Sequence, residues 1–398
     1  MRIVIDLQGA QSSGSRTRGI GRYSLALSEA LIRNCGGNEI LLAMSGLFPE
    51  SVESIRESFR DLLPPEKIRV WTAPGQVAFV DPANDARRDA AECLREAFFV
   101  SLDPDIVLVT SLFEGLVDDA LCSVGRQASL PTAVVLYDLI PLIHRKIYLS
   151  NPPVERWYLE KIKHLTRADL LLSISASSGR EAIQHLGFDE SRVVNISTAC
   201  EPHFQPRPVT DDQRRALGSA YGIERPFVMY TGGIDHRKNI EGLIRAYARL
   251  PTALRSTHQL VIVCPAQAPD RQRLLQLAGA AGLAQGELVL TGHVPDDDLV
   301  TLYNACKLFV FPSWHEGFGL PALEAMQCGK AVLCASTSSL PEVVGRADAL
   351  FDPHDEVAIA AKINQVLQDD DFRQTLERHG LEQARRFSWD ATARRALE

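Results

Sequence analysis

The chain has 398 residues, of which 45% are hydrophobic and 23% charged, and this balance is typical of a soluble globular protein. Its length favours two domains over one. The formal net charge of −8 argues against a nucleic-acid partner, because proteins that bind DNA or RNA usually carry an excess of basic residues.

The cysteine pattern and the apolar runs bear on metal binding and on location. The eight cysteines form no C-x-x-C pair, so we expect no zinc site and no bound metal. Cys264 and others lie in apolar runs and are expected to be buried and reduced, as in a cytoplasmic protein. Residues 1–6 predict a strand rather than a signal peptide. No apolar run reaches the roughly 20 residues that a membrane span needs.

Short apolar runs rich in β-branched residues recur along the chain and predict strands covered on both faces, as in parallel sheets. They fall into two sets: residues 3–5, 39–43, 106–109, 133–137, 170–174 and 193–196, then 227–230, 260–263, 288–290, 308–311, 331–333 and 350–351. Helical patterns lie between them. Residues 23–33 predict one helix, and residues 239–250 predict another with Asn239 as its N-cap.

This alternation predicts an α/β protein with two Rossmann-like, doubly wound domains that face each other across a cleft. The proline-rich segment 201–208 is the predicted linker. We expect an N-terminal domain over 1–205, a C-terminal domain over 206–386, and a helix over 387–398 that crosses back to the N-terminal domain. The chain stops inside this predicted helix, which fits either a natural chain end or one module of a larger polymerising protein.

The strongest functional signal is the segment 311–324, where a buried strand leads into a glycine-containing loop and a helix. Pro321 suits the first turn of that helix, whose backbone amides can bind an anion. Glu316 in the loop and Glu324 in the helix can both face one pocket, and a carboxylate is a natural acceptor for two adjacent sugar hydroxyls. The predicted binding residues between the two carboxylates are Gly317, Phe318, Gly319 and Leu320.

A second segment, 230–239, also joins a strand to a helix. Gly233 allows close backbone approach. Arg237 and Lys238 supply two cations at the predicted helix start, where the helix dipole disfavours positive charge. We therefore expect a bound anion, and phosphate suits this pair of side chains.

Further candidates lie in the N-terminal half. Gly19 and Gly21 follow the first predicted strand, in a glycine pattern that is weak evidence by itself. Tyr137 and Asp138 end a buried strand, where an aspartate can serve the site or merely cap a turn. Ser175 or Ser177 is a candidate N-cap for the helix around residues 180–186, and a role in the site is equally open.

One acidic cluster lies in the C-terminal half. The triplet Asp296–Asp298 is interpreted as the N-cap of a helix that starts at Leu299, rather than as a metal site.

The segment 311–324 resembles the E-x7-E signature of the GT4 family of retaining glycosyltransferases, which have the GT-B fold. The resemblance covers nearly the whole chain and includes the G-G-x-x-x-R-K-N element at residues 232–239. It implies that Glu316 contacts the donor sugar or its phosphates, Glu324 the ribose hydroxyls, and Arg237 with Lys238 the donor diphosphate.

In the N-terminal half, the resemblance implies that Gly19 and Gly21 approach the donor phosphate and the acceptor. Many GT4 enzymes carry H-D-x-x-P at a strand end. Asp138 matches this pattern, whereas Tyr137 stands in place of the histidine that approaches the reacting sugar.

Residues 6–12, 18–24, 46–50 and 111–115 together resemble mannosyltransferases that build bacterial polymannan O-antigens. This resemblance implies retaining, metal-independent transfer of a hexose, without a cofactor. The expected donor is GDP-mannose, and the expected acceptor is a glycan of lipopolysaccharide biosynthesis linked to undecaprenyl diphosphate. The enzyme would work in the cytoplasm, with peripheral contact at the inner face of the plasma membrane.

Other readings of the sequence remain open. One is another donor, such as GDP-rhamnose, and a second is a non-catalytic module that binds sugar nucleotides. An NAD-dependent oxidoreductase is also α/β, but the chain lacks G-x-G-x-x-G after its first strand.

Overall fold

The computed structural model describes residues 1–126 and 129–398 and divides them into two units. The first unit comprises Met1–Thr198 together with Ser388–Glu398, and the second comprises Ala199–Phe387. Each unit is built around a parallel sheet, so the two predicted sets of strands correspond to two separate cores.

The described residues of the first unit form a seven-stranded parallel sheet in the order β3-β2-β1-β4-β5-β6-β7. Its strands are β1 (Arg2–Asp6), β2 (Glu39–Ser45), β3 (Ile68–Trp71), β4 (Ile106–Val109), β5 (Thr132–Leu136), β6 (Leu170–Ser173) and β7 (Val193–Asn195). The strand order reverses between β1 and β4, which is the arrangement of a doubly wound sheet.

Helices connect these strands. They are α1 (Gln8–Gln11), α2 (Gly19–Arg33), α3 (Pro49–Phe59), α4 (Asp85–Ser101), α5 (Ile140–Ile143), α6 (Arg145–Tyr148), α7 (Pro152–Leu165) and α8 (Ala176–Leu186). The core lies between sheet and helices and includes Val4, Leu41, Phe99, Val134 and Leu171, each at most 5% exposed.

The second unit has a six-stranded parallel sheet in the order β10-β9-β8-β11-β12-β13, with its reversal between β8 and β11. Its strands are β8 (Phe227–Thr231), β9 (Gln259–Val263), β10 (Leu288–Leu290), β11 (Leu308–Phe311), β12 (Val332–Ala335) and β13 (Leu350–Phe351). Because loops at the carboxyl ends of β8 and β11 diverge, they leave the crevice in which such sheets bind ligands.

The helices of this unit begin after the inter-unit segment. They are α9 (Asp211–Tyr221), α10 (Ile240–Ala248), α11 (Thr252–Arg255), α12 (Ala268–Ala280), α13 (Asp296–Ala305), α14 (Leu320–Gln327), α15 (Leu340–Val344), α16 (Glu356–Gln368) and α17 (Asp370–Ala384). Among the described residues, no helix is long and apolar enough to cross a membrane.

The boundary between the units differs from the predicted one. It lies between Thr198 and Ala199 rather than between residues 205 and 206. The intervening residues pack on the second unit: Phe204 lies edge-on to Tyr303 with ring centroids 5.7 Å apart. Asn304 also donates to the carbonyl of Gln205 at 3.2 Å. A proline-rich composition indicated an irregular segment, but these contacts decide which core it joins.

The last helix, α18 (Trp389–Leu397), belongs to the first unit although it follows the second in sequence. Trp389 lies edge-on to Tyr23 of α2, with centroids 5.0 Å apart. Asn34 donates to Asp390 at 2.8 Å, and Arg395 donates to the carbonyl of Ile196 at 3.3 Å. Aromatic packing and polar contacts therefore hold α18 against the rest of the first unit.

Candidate functional site

The loop after β8 begins with a glycine pair in close contact with a buried tyrosine. Gly232 has φ of +147°, and a Cβ there would lie 2.9 Å from the hydroxyl of Tyr230. That hydroxyl donates to the carbonyl of Gly233 at 2.9 Å. Glycine at 232 is therefore required for the backbone to pass this close to Tyr230. A Cβ at Gly233 would meet no heavy atom within 4 Å, so this exposed residue is not constrained in the same way.

The two cations of the next segment are paired inside the protein. Arg237 and Lys238 lie in a short 3-10 turn that ends at Lys238, just before α10. An Arg237 Nη1 lies 2.8 Å from Glu316 Oε2, and Lys238 Nζ lies 2.7 Å from Glu316 Oε1. Both cations therefore have an internal carboxylate partner in Glu316, which the sequence pattern alone did not reveal.

Asn239 occupies the predicted N-cap position of α10, but its side chain makes no capping hydrogen bond. It has φ of +54°, and its amide donates to the carbonyls of Pro312 at 3.2 Å and Pro353 at 2.8 Å. The Asn239 side chain therefore ties the turn that carries the cations to the loop after β11.

Glu316 lies in the loop after β11 and is only 6% exposed. Its backbone is held by the loop after β12: the Glu316 amide donates to Ser338 Oγ at 2.9 Å, and Ser339 Oγ donates to the Glu316 carbonyl at 2.9 Å. Ser339 Oγ also lies 2.6 Å from the carbonyl of Phe318. These two serines hold the backbone of the loop that presents the Glu316 carboxylate.

The electrostatics of this trio favour an ionised Glu316. Burial acts to raise the pKa of Glu316, but the charges of Lys238 and Arg237 outweigh it, so that this pKa is lowered. Burial lowers the pKa of Lys238, and the nearby Glu316 opposes that change. Lys238 also lies over the ring of Phe311, 5.2 Å from its centroid. Asp235 Oδ1 lies 3.7 Å from Arg237 Nε, so two carboxylates balance the two cations beside the end of β11.

Glu324 has a different partner from Glu316. Its Oε2 accepts a 2.7 Å hydrogen bond from the hydroxyl of Tyr303, whose side chain is fully buried. Tyr303 therefore fixes the orientation of the Glu324 carboxylate. Sequence reasoning missed Tyr303, because it lies on α13, outside the motif.

The residues between the two carboxylates shape the start of α14. Gly317, Phe318 and Gly319 are buried, and Leu320 begins the helix with a proline in its first turn, as predicted. Gly319 has φ of +113°, and a Cβ there would lie 2.6 Å from Leu340 Cδ2. Phe318 packs edge-on against Phe387, with centroids 5.5 Å apart. Gly319 is the N-cap residue of α14, and the amides of Ala322 and Leu323 donate to its carbonyl at 3.0 and 3.4 Å, so the helix start is anchored on this loop.

Gly19 and Gly21 lie within helix α2 rather than in the loop before it. Helix α2 starts at Gly19, earlier than the predicted start at Tyr23. A Cβ at Gly21 would lie 2.5 Å from the carbonyl oxygen of Ser15, so this glycine lets the preceding loop fold against the helix. Gly19 is exposed, and a Cβ there would meet nothing within 4 Å.

Tyr137 and Asp138 follow β5 in the first unit. The hydroxyl of Tyr137 donates to the carbonyl of Thr110 at 3.0 Å, and its ring lies edge-on to Tyr23 at 5.1 Å between centroids. Asp138 Oδ1 accepts from the amide of Ile140 at 3.0 Å, which is a local turn contact. The structure thus gives both residues clear structural contacts, and their predicted catalytic roles remain predictions.

The two further predictions of helix N-caps, at Ser175 and at Asp296–Asp298, have different outcomes. Ser175 caps α8 by accepting a hydrogen bond from the amide of Ser178, which confirms that prediction. The triplet Asp296–Asp298 forms the first turn of α13 instead of preceding it, so the predicted helix start at Leu299 was wrong. Asp298 accepts a 2.6 Å hydrogen bond from the hydroxyl of Tyr221.

Comparison with known proteins matches these features to a family. The family described as glycosyl transferases group 1 matches residues 217–383. The serotype-specific mannosyltransferase WbdA of Escherichia coli is 39% identical over 400 residues, covering 100% of this chain. The chain spans about half of that relative, 48% of its length. The O-antigen chain mannosyltransferase B of Escherichia coli is 39% identical over 241 residues, 58% of this chain and 61% of that protein.

Solved structures agree on the fold. The Anabaena protein Alr3699/HepE in complex with UDP and glucose superposes with a TM-score of 0.70 at 19% identity, covering 100% of this chain and 98% of that one. The lipopolysaccharide-biosynthesis glycosyltransferase WaaG has a TM-score of 0.62 at 13% identity, with coverage of 100% and 98%. Residues 217–383 of the second unit therefore match the group 1 glycosyltransferase domain, and the two doubly wound units have the GT-B fold.

Proposed function

We propose that the chain transfers mannose from GDP-mannose to a bacterial O-antigen glycan, with retention of anomeric configuration and without a metal or cofactor. The similarity to two mannosyltransferases of Escherichia coli supports the sugar and the acceptor class. The observation that carries the proposal is the contact of Arg237, Lys238 and Glu316 at the strand reversal between β8 and β11.

The trio suits a sugar-nucleotide diphosphate. Arg237 and Lys238 are held within 2.8 Å of one carboxylate, so their side chains are ordered before a donor arrives. Their side chains remain 23% and 11% exposed, which leaves part of each cation accessible. A diphosphate that reaches them meets two ordered cations in a half-buried place, where Coulomb attraction is stronger than in water.

The proposed catalysis depends on where negative charge develops as the donor bond breaks. When the bond between sugar and diphosphate breaks, negative charge grows on the leaving phosphate, and preorganised cations lower the energy of that state. The first amides of α14 add a helix N-terminus to the same region. Glu316 holds both cations and steers the sugar, while Glu324, oriented by Tyr303, binds the ribose. The leaving phosphate oxygen accepts the proton of the acceptor hydroxyl on the same face, which gives retention.

The acceptor is proposed to be a lipid-linked glycan, which requires peripheral contact with the cytoplasmic face of the membrane. Arg16, Arg18 and Arg22 are exposed around the start of α2, and Arg16 pairs with Glu50 at 3.0 Å. Basic side chains of this kind attract anionic lipid. Sedimentation with anionic vesicles should therefore decrease at high salt, whereas salt-resistant binding would contradict a purely electrostatic contact.

Donor identity is tested by nucleotide-dependent thermal stabilisation. GDP and GDP-mannose should raise the unfolding temperature more than UDP, ADP or CMP at the same concentration, because stabilisation grows with affinity. A ligand at 100 times its Kd adds about 2.7 kcal/mol to the free energy of unfolding. Arg237→Ala should abolish most of the shift, while Arg167→Ala, an exposed arginine of the first unit, should keep it. A larger shift with NADH than with any sugar nucleotide would overturn the proposal in favour of an oxidoreductase.

A further inference from the structure

The first unit contains a cavity that none of the residues assigned above lines. Its volume is about 200 Å³, and it lies between the start of α4 and the helix α7, with Gly115 at its rim. Trp157 and Phe79 contribute aromatic rings to its lining, together with the imidazole of His164. A pocket of this size holds several water molecules, or one small polar ring, rather than a nucleotide.

The charges that line the cavity are balanced. Arg88 pairs with Asp85 at 2.8 Å, and Arg126 pairs with Asp89 at 2.8 Å and also with Glu92. The complete charged lining consists of Asp85, Asp89, Glu92 and Glu160 with Arg88, Arg126, Arg156 and Lys161. A phosphate site needs an excess of cations, so this balance favours a neutral ligand with many hydroxyl groups.

Two positions in the lining have hydrogen-bonding capacity that the protein itself does not use. Among residues 1–126 and 129–398, no partner is present for the buried Nη1 of Arg88, although Arg88 Nη2 bonds to Asp85. His164 Nε2 lies 4.0 Å from Glu160 Oε1, too far for a direct hydrogen bond. A hydroxyl oxygen placed beside His164 Nε2 and Glu160 Oε1, which are 4.0 Å apart, can lie within hydrogen-bond distance of both. Burial lowers the pKa of His164, so its ring is neutral at pH 7 and can share a proton with a hydroxyl.

The cavity is connected to the start of α2, where Gly19 and Gly21 are the predicted phosphate and acceptor contacts. Trp157 Nε1 donates to the carbonyl of Glu114 at 3.3 Å, and Glu114 Oε1 accepts from Ser15 Oγ at 2.6 Å. Ser15 in turn packs against Gly21. One side of the 111–115 segment therefore faces the cavity, and its other contacts hold the loop before α2.

We propose that this cavity binds one neutral hexose unit of the acceptor glycan, away from the hydroxyl that reacts. The inference rests on the proposed function for the identity of the glycan, but the site itself rests on the balanced lining and the unused hydrogen-bonding groups. An aromatic wall beside paired carboxylate and guanidinium groups suits a sugar, whose ring has apolar faces and a polar edge. Such a site lengthens the contact with a growing polymer and favours long acceptors over short ones.

The test uses Arg156→Ala and Glu160→Gln as cavity variants, with Arg167→Ala as a matched control. Arg156 is exposed and rests over the ring of Phe79 at 5.1 Å, so its loss should not unfold the chain. Arg167 is exposed just after α7 and does not line the cavity. Binding of a linear mannotetraose and of methyl mannoside is measured by calorimetry on the full chain, and transfer is measured onto acceptors of both lengths.

Each cavity variant should weaken mannotetraose binding about fivefold to tenfold, the effect of one or two lost hydrogen bonds. KM for the long acceptor should rise while kcat, KM for the short acceptor and GDP affinity stay unchanged, and Arg167→Ala should behave as wild type. Unchanged mannotetraose affinity in both cavity variants, or an equal loss in Arg167→Ala, overturns the inference. A chain that binds mannotetraose through Arg156 and Glu160 but transfers no mannose refutes the proposed function alone.

Discussion

Glu316 connects the two segments that sequence reasoning had treated separately. The motif indicated a carboxylate for the sugar and two cations for the diphosphate, but their mutual pairing depends on how loops after β8 and β11 meet. Spacing along a chain cannot reveal that contact, since Arg237 and Glu316 are far apart in sequence. The 2.7–2.8 Å ion pairs make Glu316 both a candidate sugar contact and the group that orders the cations.

Glu316→Gln should slow transfer by about 10²- to 10³-fold, in line with losing one preorganised group. GDP affinity should be kept or increased, because the substitution removes a negative charge beside the two cations. Steady-state kinetics and calorimetry with GDP separate the two effects. Glu324→Gln is the matched comparison, and it should weaken GDP binding more than it lowers kcat. The reverse pattern for the two glutamates would show that their roles are exchanged.

Lys238→Met should destabilise the fold in a pH-dependent way. The pKa of Glu316 is lowered in the folded chain, so its charge contributes stability above the unfolded value of about 4.3 and loses it as pH falls through the folded value. Loss of one cation raises the pKa of Glu316 and should cost about 2 to 4 kcal/mol at pH 7. The difference in unfolding free energy between the variant and the wild type should become smaller as pH falls toward about 4.

Urea unfolding from pH 7 to about pH 3.5 checks this expectation, with Lys146→Met as an exposed control that should show no such trend. If the difference in unfolding free energy stayed constant or grew as pH fell, Glu316 would not be ionised in the folded chain.

At the scale of elements, the start of α14 depends on one glycine. Gly319 has φ of +113° and no room for a Cβ beside Leu340. Gly319→Ala should cost about 1 to 3 kcal/mol of unfolding free energy, from backbone strain and from the contact. It should also weaken nucleotide binding, because the same residue positions the first amides of α14.

Gly279→Ala is the control for this substitution, because Gly279 lies within α12 and a Cβ there would meet nothing within 4 Å. That variant should gain about 0.5 to 1 kcal/mol. If Gly319→Ala were as stable as wild type in urea unfolding, the conformation of this loop would not be constrained by Leu340.

Most strands could be predicted from sequence, and the failures have physical reasons. The predicted runs all correspond to strands, and most of these strands are buried on both faces and therefore uniformly apolar, whereas the edge strand β7 is only half-buried. β3 was missed, since it is short, lies at a sheet edge and carries the exposed Arg69. Helix starts were less predictable: Asn239 resembled an N-cap, yet its amide is used to bridge two loops.

At the scale of the whole molecule, the doubly wound pattern of both units followed from the alternation of strands and helices. The boundary did not follow, because aromatic packing of Phe204 on Tyr303 decides it rather than proline content. The cavity beside α7 was not predictable either, since its lining comes from segments scattered between Phe79 and His164. Long-range side-chain contacts, which no local pattern encodes, account for these differences.

Retaining, metal-independent mannosyl transfer is the central claim, and one reaction tests it directly. Purified chain is incubated with GDP-mannose and an oligomannoside acceptor in excess EDTA, and the anomeric configuration of the product is read by NMR. We expect an α-linked mannoside from the α-linked donor, at a rate that EDTA leaves unchanged. A β-linked product, or activity that EDTA abolishes and Mn²⁺ restores, would contradict the mechanism built on Arg237, Lys238 and Glu316.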